Sequence, residues 1–203
     1  MLKKIFLNGY TLNQKTMNKY LYIFLIINFS CGSEPENNNE IVTPTQNNEK
    51  VEIYLIDNLD DSRGFCLDMR GYKDNADTSR NMQVHTCYSY QGEIAVDQGF
   101  NKSKISEKEF YIPHFKVCLE ADEIESSSTI ELMTCDKNQK QKFILQDDGK
   151  INPEGNLNLC LTASISSREG GGGNPVHLIR DLSLQVCDDQ NSELQRWSMR
   201  STN

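Results

Sequence analysis

Three stretches of the chain alternate between apolar and polar positions and then stop at a cysteine: MQVHTC at 82–87, IELMTC at 130–135 and LSLQVC at 182–187. In each, the residues three and five before the cysteine are apolar: Val84 and Met82, Leu132 and Ile130, Leu184 and Leu182. Successive side chains of a strand point to opposite faces, so a strand at each place buries one face and presents the other to solvent. VEIYLI from Val51 and KFILQDDGKI from Lys142 read as further short strands, the second with a hairpin turn at Asp148-Gly149. No segment carries an apolar stripe at helical spacing. The pattern predicts an all-β domain.

The N-terminal part reads differently. The longest apolar run, Tyr20 to Ile27, is far shorter than the roughly 20 residues a membrane-spanning helix needs. Met17 and Lys19 precede it and Ser30-Cys31 follow it, an order that resembles the signal of bacterial lipoproteins. The resemblance implies a start at Met17, cleavage before Cys31 and a lipid on Cys31; an ordinary secretory signal is the other reading, and both export the chain. Residues 32–50, GSEPENNNEIVTPTQNNEK, hold almost no large apolar side chains and cannot offset their ordering entropy. The expected organisation is a signal segment at 1–30, a flexible tether at 31–50 and one domain at 51–203.

That domain holds six of the seven cysteines, and an even number in an exported chain points to disulfides. Spacing alone leaves the pairing open. A repeat closes it. GFCLD (64–68), KVCLE (116–120) and NLCLT (158–162) share Cys-Leu-polar; each is followed by one of the alternating stretches and then by Gln-x-aromatic, as QGF (98–100), QKF (141–143) and QRW (195–197). Three copies of one unit, with length variation inside the loops, select Cys66 with Cys87, Cys118 with Cys135 and Cys160 with Cys187.

Three Cys-Leu units in register with three Gln-x-aromatic signatures resemble the ricin B-type lectin domain from about Val51 to Met199. The resemblance implies a β-trefoil fold, a carbohydrate-binding (lectin) function with shallow sites for galactose-type or other sugars, up to one per copy, and no catalysis. Phe100, Phe143 and Trp197 would then plug the core, with Gln98, Gln141 and Gln195 bonded to backbone.

Residues two apart in a strand share a face, so Asp68 falls beside Cys66, and Gln83 and His85 fall on the face of Cys87. A disulfide holds its Cα atoms about 5.5–6 Å apart, which gathers Asp68, Gln83 and His85 on a face turned away from the core. A carboxylate, an amide and a flat ring are what a sugar's hydroxyls and C–H face require. In the family these positions hold the ligand-binding Asp, a Gln and an aromatic platform; His85 stands for the platform, Asp97-Gln98 for the usual Asn-Gln, and Tyr88 and Tyr90 are nearby rings. The second copy offers Glu120, Glu131 and Met133, the third Thr162, Ser183 and Gln185. Neither joins an Asp to a ring, so both are expected to be scaffold.

The formal net charge of −8 disfavours phosphate-tracking surfaces and anionic membranes. The resemblance implies glycans as the partner class, and the expected protein is a monomer that meets a membrane only through its lipid anchor. No nucleic-acid partner, cofactor or metal is expected: Cys-x-x-Cys is absent, and His85, His114 and His177 are scattered. REGGGGNPV (168–176) lacks the Lys-Ser/Thr ending of a phosphate loop and reads as a flexible surface turn. A carboxylate pair of Asp68 and Asp97 working as a hydrolase would need distinct acid and base environments, for which the sequence gives no sign. A trefoil with decayed sites, serving as a structural or protein-interaction module of the cell envelope, is the alternative to the lectin.

Overall fold

A computed structural model describes residues 49–201; the signal segment, Cys31 and all but the end of the tether lie outside the described residues. The first copy of the unit supplies strands β1 (Lys50–Leu55), β2 (Phe65–Asp68), β3 (Gln83–Thr86) and β4 (Phe100–Asn101). The second supplies β5 (Tyr111–Ile112), β6 (Val117–Ala121), β7 (Ile130–Met133) and β8 (Phe143–Leu145). The third supplies β9 (Ile151–Pro153), β10 (Leu159–Ala163), β12 (Leu178–Val186) and β13 (Trp197–Arg200), with an additional strand, β11 (Arg168–Glu169), inserted between β10 and β12. Three four-stranded units make an all-β trefoil. Its one α-helix among the described residues, Lys102–Ser106, is a single turn capped by the Asn101 side chain, which accepts from the Lys104 amide at 3.0 Å. A helix that short cannot carry an apolar stripe.

The register explains why Leu follows each first cysteine. Leu67 lies opposite Val84, Leu119 opposite Leu132 and Leu161 opposite Leu184, each pair joining a Cys-Leu leucine to an apolar residue of the alternating stretch. All three leucines are buried, as are Phe100, Phe143 and Trp197. Burial of side chains this size stabilises by about 1.5–3 kcal/mol apiece. Phe110 stands between Phe100 and Phe143, edge to each, with ring centroids 6.4 and 5.9 Å away. The Trp197 indole donates to the Leu161 carbonyl at 2.9 Å, so the polar edge of the largest core side chain is satisfied.

The chain's two ends meet in one sheet, β1 pairing with β13 so that Leu55 faces Trp197 and Glu52 faces Arg200. Glu52 is buried and accepts from Arg200 Nε and from Ser89 Oγ. The hairpin at Asp148-Gly149 joins β8 to β9, with Leu145 opposite Ile151; Gly149 takes φ +89°, a left-handed conformation that favours glycine.

Each copy also repeats one amide clamp. Gln98 accepts from the amide of Tyr88, donates to Thr86 O and donates to Asp68. Gln141 accepts from Asp136 N and donates to Thr134 O and Glu120. Gln195 accepts from Asp188 N and donates to Val186 O and Thr162 Oγ1. In all three the glutamine grips the chain on both sides of the second cysteine and reaches the residue two after the first. Disulfides Cys66–Cys87, Cys118–Cys135 and Cys160–Cys187 lie beside these clamps. Three such bridges belong to an oxidising compartment, that of an extracellular or exported protein.

Each bridge closes a loop of 17 to 27 residues and so restricts the unfolded chain. In the chain-entropy account this is worth about 3 kcal/mol per bridge. Thermal melts with and without reductant should show a large loss of stability on reduction, and non-reducing peptide maps should return three pairs local to each copy.

Candidate functional site

A cleft of about 690 Å³ opens where the first copy meets the insertion of the third. Its first wall carries Gln83 and His85 of β3, Tyr72 from the loop after β2, and Tyr88, Tyr90 and Gln91 from the turn after Cys87. Its second wall is the hairpin of β11 and β12, with Arg168, Gly171 to Gly173, His177 and Ile179.

Long β12 builds this arrangement. Its C-terminal half pairs with β10 as the repeat requires, while its start pairs with β3, Ile179 opposite His85 and Asp181 opposite Gln83. The glycine-rich segment read from sequence as a flexible surface turn is the tip of this hairpin, and it is pinned. Arg63 donates to Pro175 O at 2.9 Å and Val176 O at 2.8 Å, while Asp61 holds the same guanidinium with both oxygens. Gly173, at φ +83°, leaves no room for a side chain: a Cβ there would lie 2.6 Å from His177 Cδ2.

The candidate residues chosen from sequence are drawn together, though at two depths. Asp68 Oδ1 accepts from Gln83 Nε2 at 2.7 Å and Oδ2 from Gln98 Nε2 at 2.9 Å. Asp97 receives the Lys73 amide at 2.6 Å, and its backbone carbonyl accepts from Met69 N. Asp68, Asp97 and Gln98 are at most 1% exposed and lie beneath the cleft; Gln83 and His85 line it. The face opposite Leu67 and Val84 is therefore not the open surface that strand geometry anticipated. His177 and Tyr88 cover it, with ring centroids 5.1 and 5.0 Å from His85.

Below the cleft the electrostatics favour neutral groups. Burial, and then the neighbouring Asp97 carboxylate, push Asp68 well above the usual carboxylate range, outweighing the two amide hydrogen bonds that favour its charge. Burial likewise raises Asp97, one of whose oxygens has no partner among the described residues. His85 moves the other way, down to about 4, through burial first and then the proximity of His177 and Arg63. Its Nδ1 lies 2.8 Å from Thr86 O, so Nδ1 carries the proton of the neutral ring and Nε2 presents a lone pair.

The other copies lack such a cleft. Glu120 is held by Gln141 and Asn138, and Met133 stands exposed where His85 would be. In the third copy a shallower hollow of about 440 Å³, lined by Thr162, Gln185, Asp188 and Asn191, holds no aromatic ring. Both contact groups that could resemble a metal site, Glu52 with Cys66 and Cys87 and Glu109 with Cys118 and Cys135, use cysteines already oxidised to disulfides.

The family model for the ricin-type β-trefoil lectin domain matches residues 53–178. The chain belongs to this family. No curated protein matches it. Among solved structures, the designed three-fold symmetric protein ThreeFoil is similar in fold, with a TM-score of 0.55 at 11% identity over 74% of this chain and 96% of that one. The mdaA-1 domain gives 0.54 at 17% identity, over 74% and 88%. The C-half of an earthworm R-type lectin, crystallised with GalNAc, gives 0.51 at 16% identity, over 75% and 98%. At such identities the likeness is one of fold.

Sequence reasoning missed the lectin domain's second wall, His177 and Arg168, and the Tyr72 loop of the first. One signal was present: the loop between the paired cysteines is longest in the third copy.

Since His85 is depressed on folding from 6.5 to about 4, its contribution to stability is complete above pH 6.5 and is lost as pH falls through that window. The full effect is worth about 3 kcal/mol. Asp68, raised on folding, acts with the opposite sign. Urea unfolding of parent and His85→Gln between pH 7 and 4 should therefore show the parent losing more stability, with the imidazole titration followed by NMR.

Proposed function

We propose that the cleft between the first copy and the third-copy hairpin binds carbohydrate. One observation carries the reading: Tyr72 and Tyr90, each more than half exposed, border the same cleft as Gln83 and as His85, whose Nε2 is the acceptor of the neutral ring. Exposed flat rings suit the C–H face of a pyranose, and convergent acceptors suit its hydroxyls. Gln83 gives one N–H to Asp68, and its Oε1 accepts no hydrogen bond among the described residues, which leaves that oxygen for ligand.

Asp68, Asp97 and Gln98 serve the site from below. Asp68 and Gln98 hold Gln83 in place, and Asp97 fixes the loop that carries Tyr72 by binding Lys73 N and Met69 N. The domain acts as a binding module. The order of Met17, Lys19, the apolar run and Cys31 supports anchoring of the exported chain by a lipid on Cys31 in the cell envelope of a bacterium.

A glycan array probed with the full chain tests the central reading, and titration of a bound saccharide measures it. Loss of one neutral hydrogen bond is worth about 1 kcal/mol, so His85→Ala should weaken binding about fivefold. Tyr72→Ala should weaken it as well, while Met133→Ala in the second copy should leave it as in the parent. Parental affinity in both cleft variants would remove the site from this cleft. For the anchor, Cys31→Ser should abolish labelled palmitate incorporation and detergent partitioning in a bacterial host.

A further inference from the structure

The cleft is bordered by three guanidinium groups. Arg70 and Arg80 come from the loop between β2 and β3, and Arg168 comes from β11. Among the described residues no Asp or Glu lines it. This is a local reversal of sign in a chain whose net charge is −8.

Internal pairing does not consume these charges. Arg70 Nη2 and Arg168 Nη1 share a single oxygen of the exposed Asp181, at 3.3 and 2.9 Å, so one carboxylate serves two cations. Arg70 is further committed, its Nε donating to Asn81 O at 3.0 Å. Arg168 keeps the rest of its donor fork. The guanidinium of exposed Arg80 makes no hydrogen bond or ion pair among the described residues; of the acids around it, Asp77 is itself bonded by Ser79 and Glu131 shares a separate hollow with it. The one carboxylate that pairs with any of these three arginines among the described residues is thus Asp181, and it lies outside the cleft.

We infer that the cleft selects an anionic saccharide, with the sugar ring against Tyr72, Tyr90, Gln83 and His85 and its carboxylate or sulfate between Arg80 and Arg168. Resting on the reading that this cleft binds sugar, the inference adds the class of sugar. A planar guanidinium offers paired N–H donors whose spacing matches two oxygens of a carboxylate or sulfate, and bonds to an ionised acceptor are about twice as strong as neutral ones. A neutral sugar in the same place leaves those donors to water, so the arginines discriminate by charge. Carboxylated and sulfated sugars share the chemistry that the site recognises.

The test uses the full chain and matched saccharides: galactose, its uronic acid and its 6-sulfate, each as a methyl glycoside, together with an array holding neutral, carboxylated and sulfated versions of the same glycans. At low ionic strength one or both acidic forms should bind about tenfold more tightly than the neutral form, with the gap narrowing as salt is added. The form preferred tells whether the natural group is carboxylate or sulfate. Arg80→Gln and Arg168→Gln should each cut the acidic-to-neutral affinity ratio about threefold, and Arg80→Lys should cut it less than Arg80→Gln, since charge is kept and the fork lost. If neutral glycans bind as well as their acidic versions, the charge selection is wrong while the sugar site stands. If an acidic preference survives Arg80→Gln combined with Arg168→Gln, the arginines are not its source. If no glycan of any charge binds, both readings fall together.

Discussion

A buried glutamine, used three times, is the interaction on which the rest of this structure depends. Gln98, Gln141 and Gln195 each join the start of one strand to the end of another across a disulfide, with the side-chain amide satisfied by main chain on both sides of the second cysteine. An amide left unpaired at such depth would cost more than an ordinary hydrogen bond contributes, so the glutamine can sit there only if the strand ends are where the trefoil puts them. The aromatic two residues later enters the core from that fixed point, as Phe100, Phe143 and Trp197 do. The constraint is local, and its threefold use gives the domain its symmetry.

The third contact of each clamp is where function enters. The glutamine donates to Asp68 in the first copy, Glu120 in the second and Thr162 in the third. All three acceptors satisfy the clamp equally well. Asp68 and Glu120 each hold a second amide as well, but the one on Glu120, Asn138, does not line the cleft, whereas the one on Asp68, Gln83, does. One position thus serves the clamp in every copy and, in the proposed site, supports ligand binding in one, so the clamp does not require a site.

The cleft itself breaks the symmetry. An extra strand and a glycine-rich tip in the third copy fold back over the first, fixed by Arg63 and by the pairing of β12 with β3. Side chains that would have been open on a bare trefoil surface are roofed as a result, and burial shifts the titration of Asp68 upward and of His85 downward. The floor is held near neutrality while the rim carries arginine. The proposed selectivity by charge is then a property of the rim alone.

The sequence by itself determined the fold: alternation, the Cys-Leu units and the Gln-x-aromatic trio are local patterns, and their repetition made the pairing of six cysteines a matter of registration. Face sharing along a strand, with a period of two, also placed Asp68, Gln83 and His85 together. What the pattern could not carry was depth. Whether Asp68 met solvent depended on Gln98, thirty residues on, and whether His85 was open depended on His177, in a segment whose glycines and proline follow no period. The second wall and the pairing of the arginine rim with Asp181 arise from contacts between copies, and the loop held by Asp97 from a contact across the first copy's own loops; such contacts leave no mark in the spacing of either partner. Only the tertiary structure decided them, because a repeat specifies what is common to its copies and the site lies where they differ.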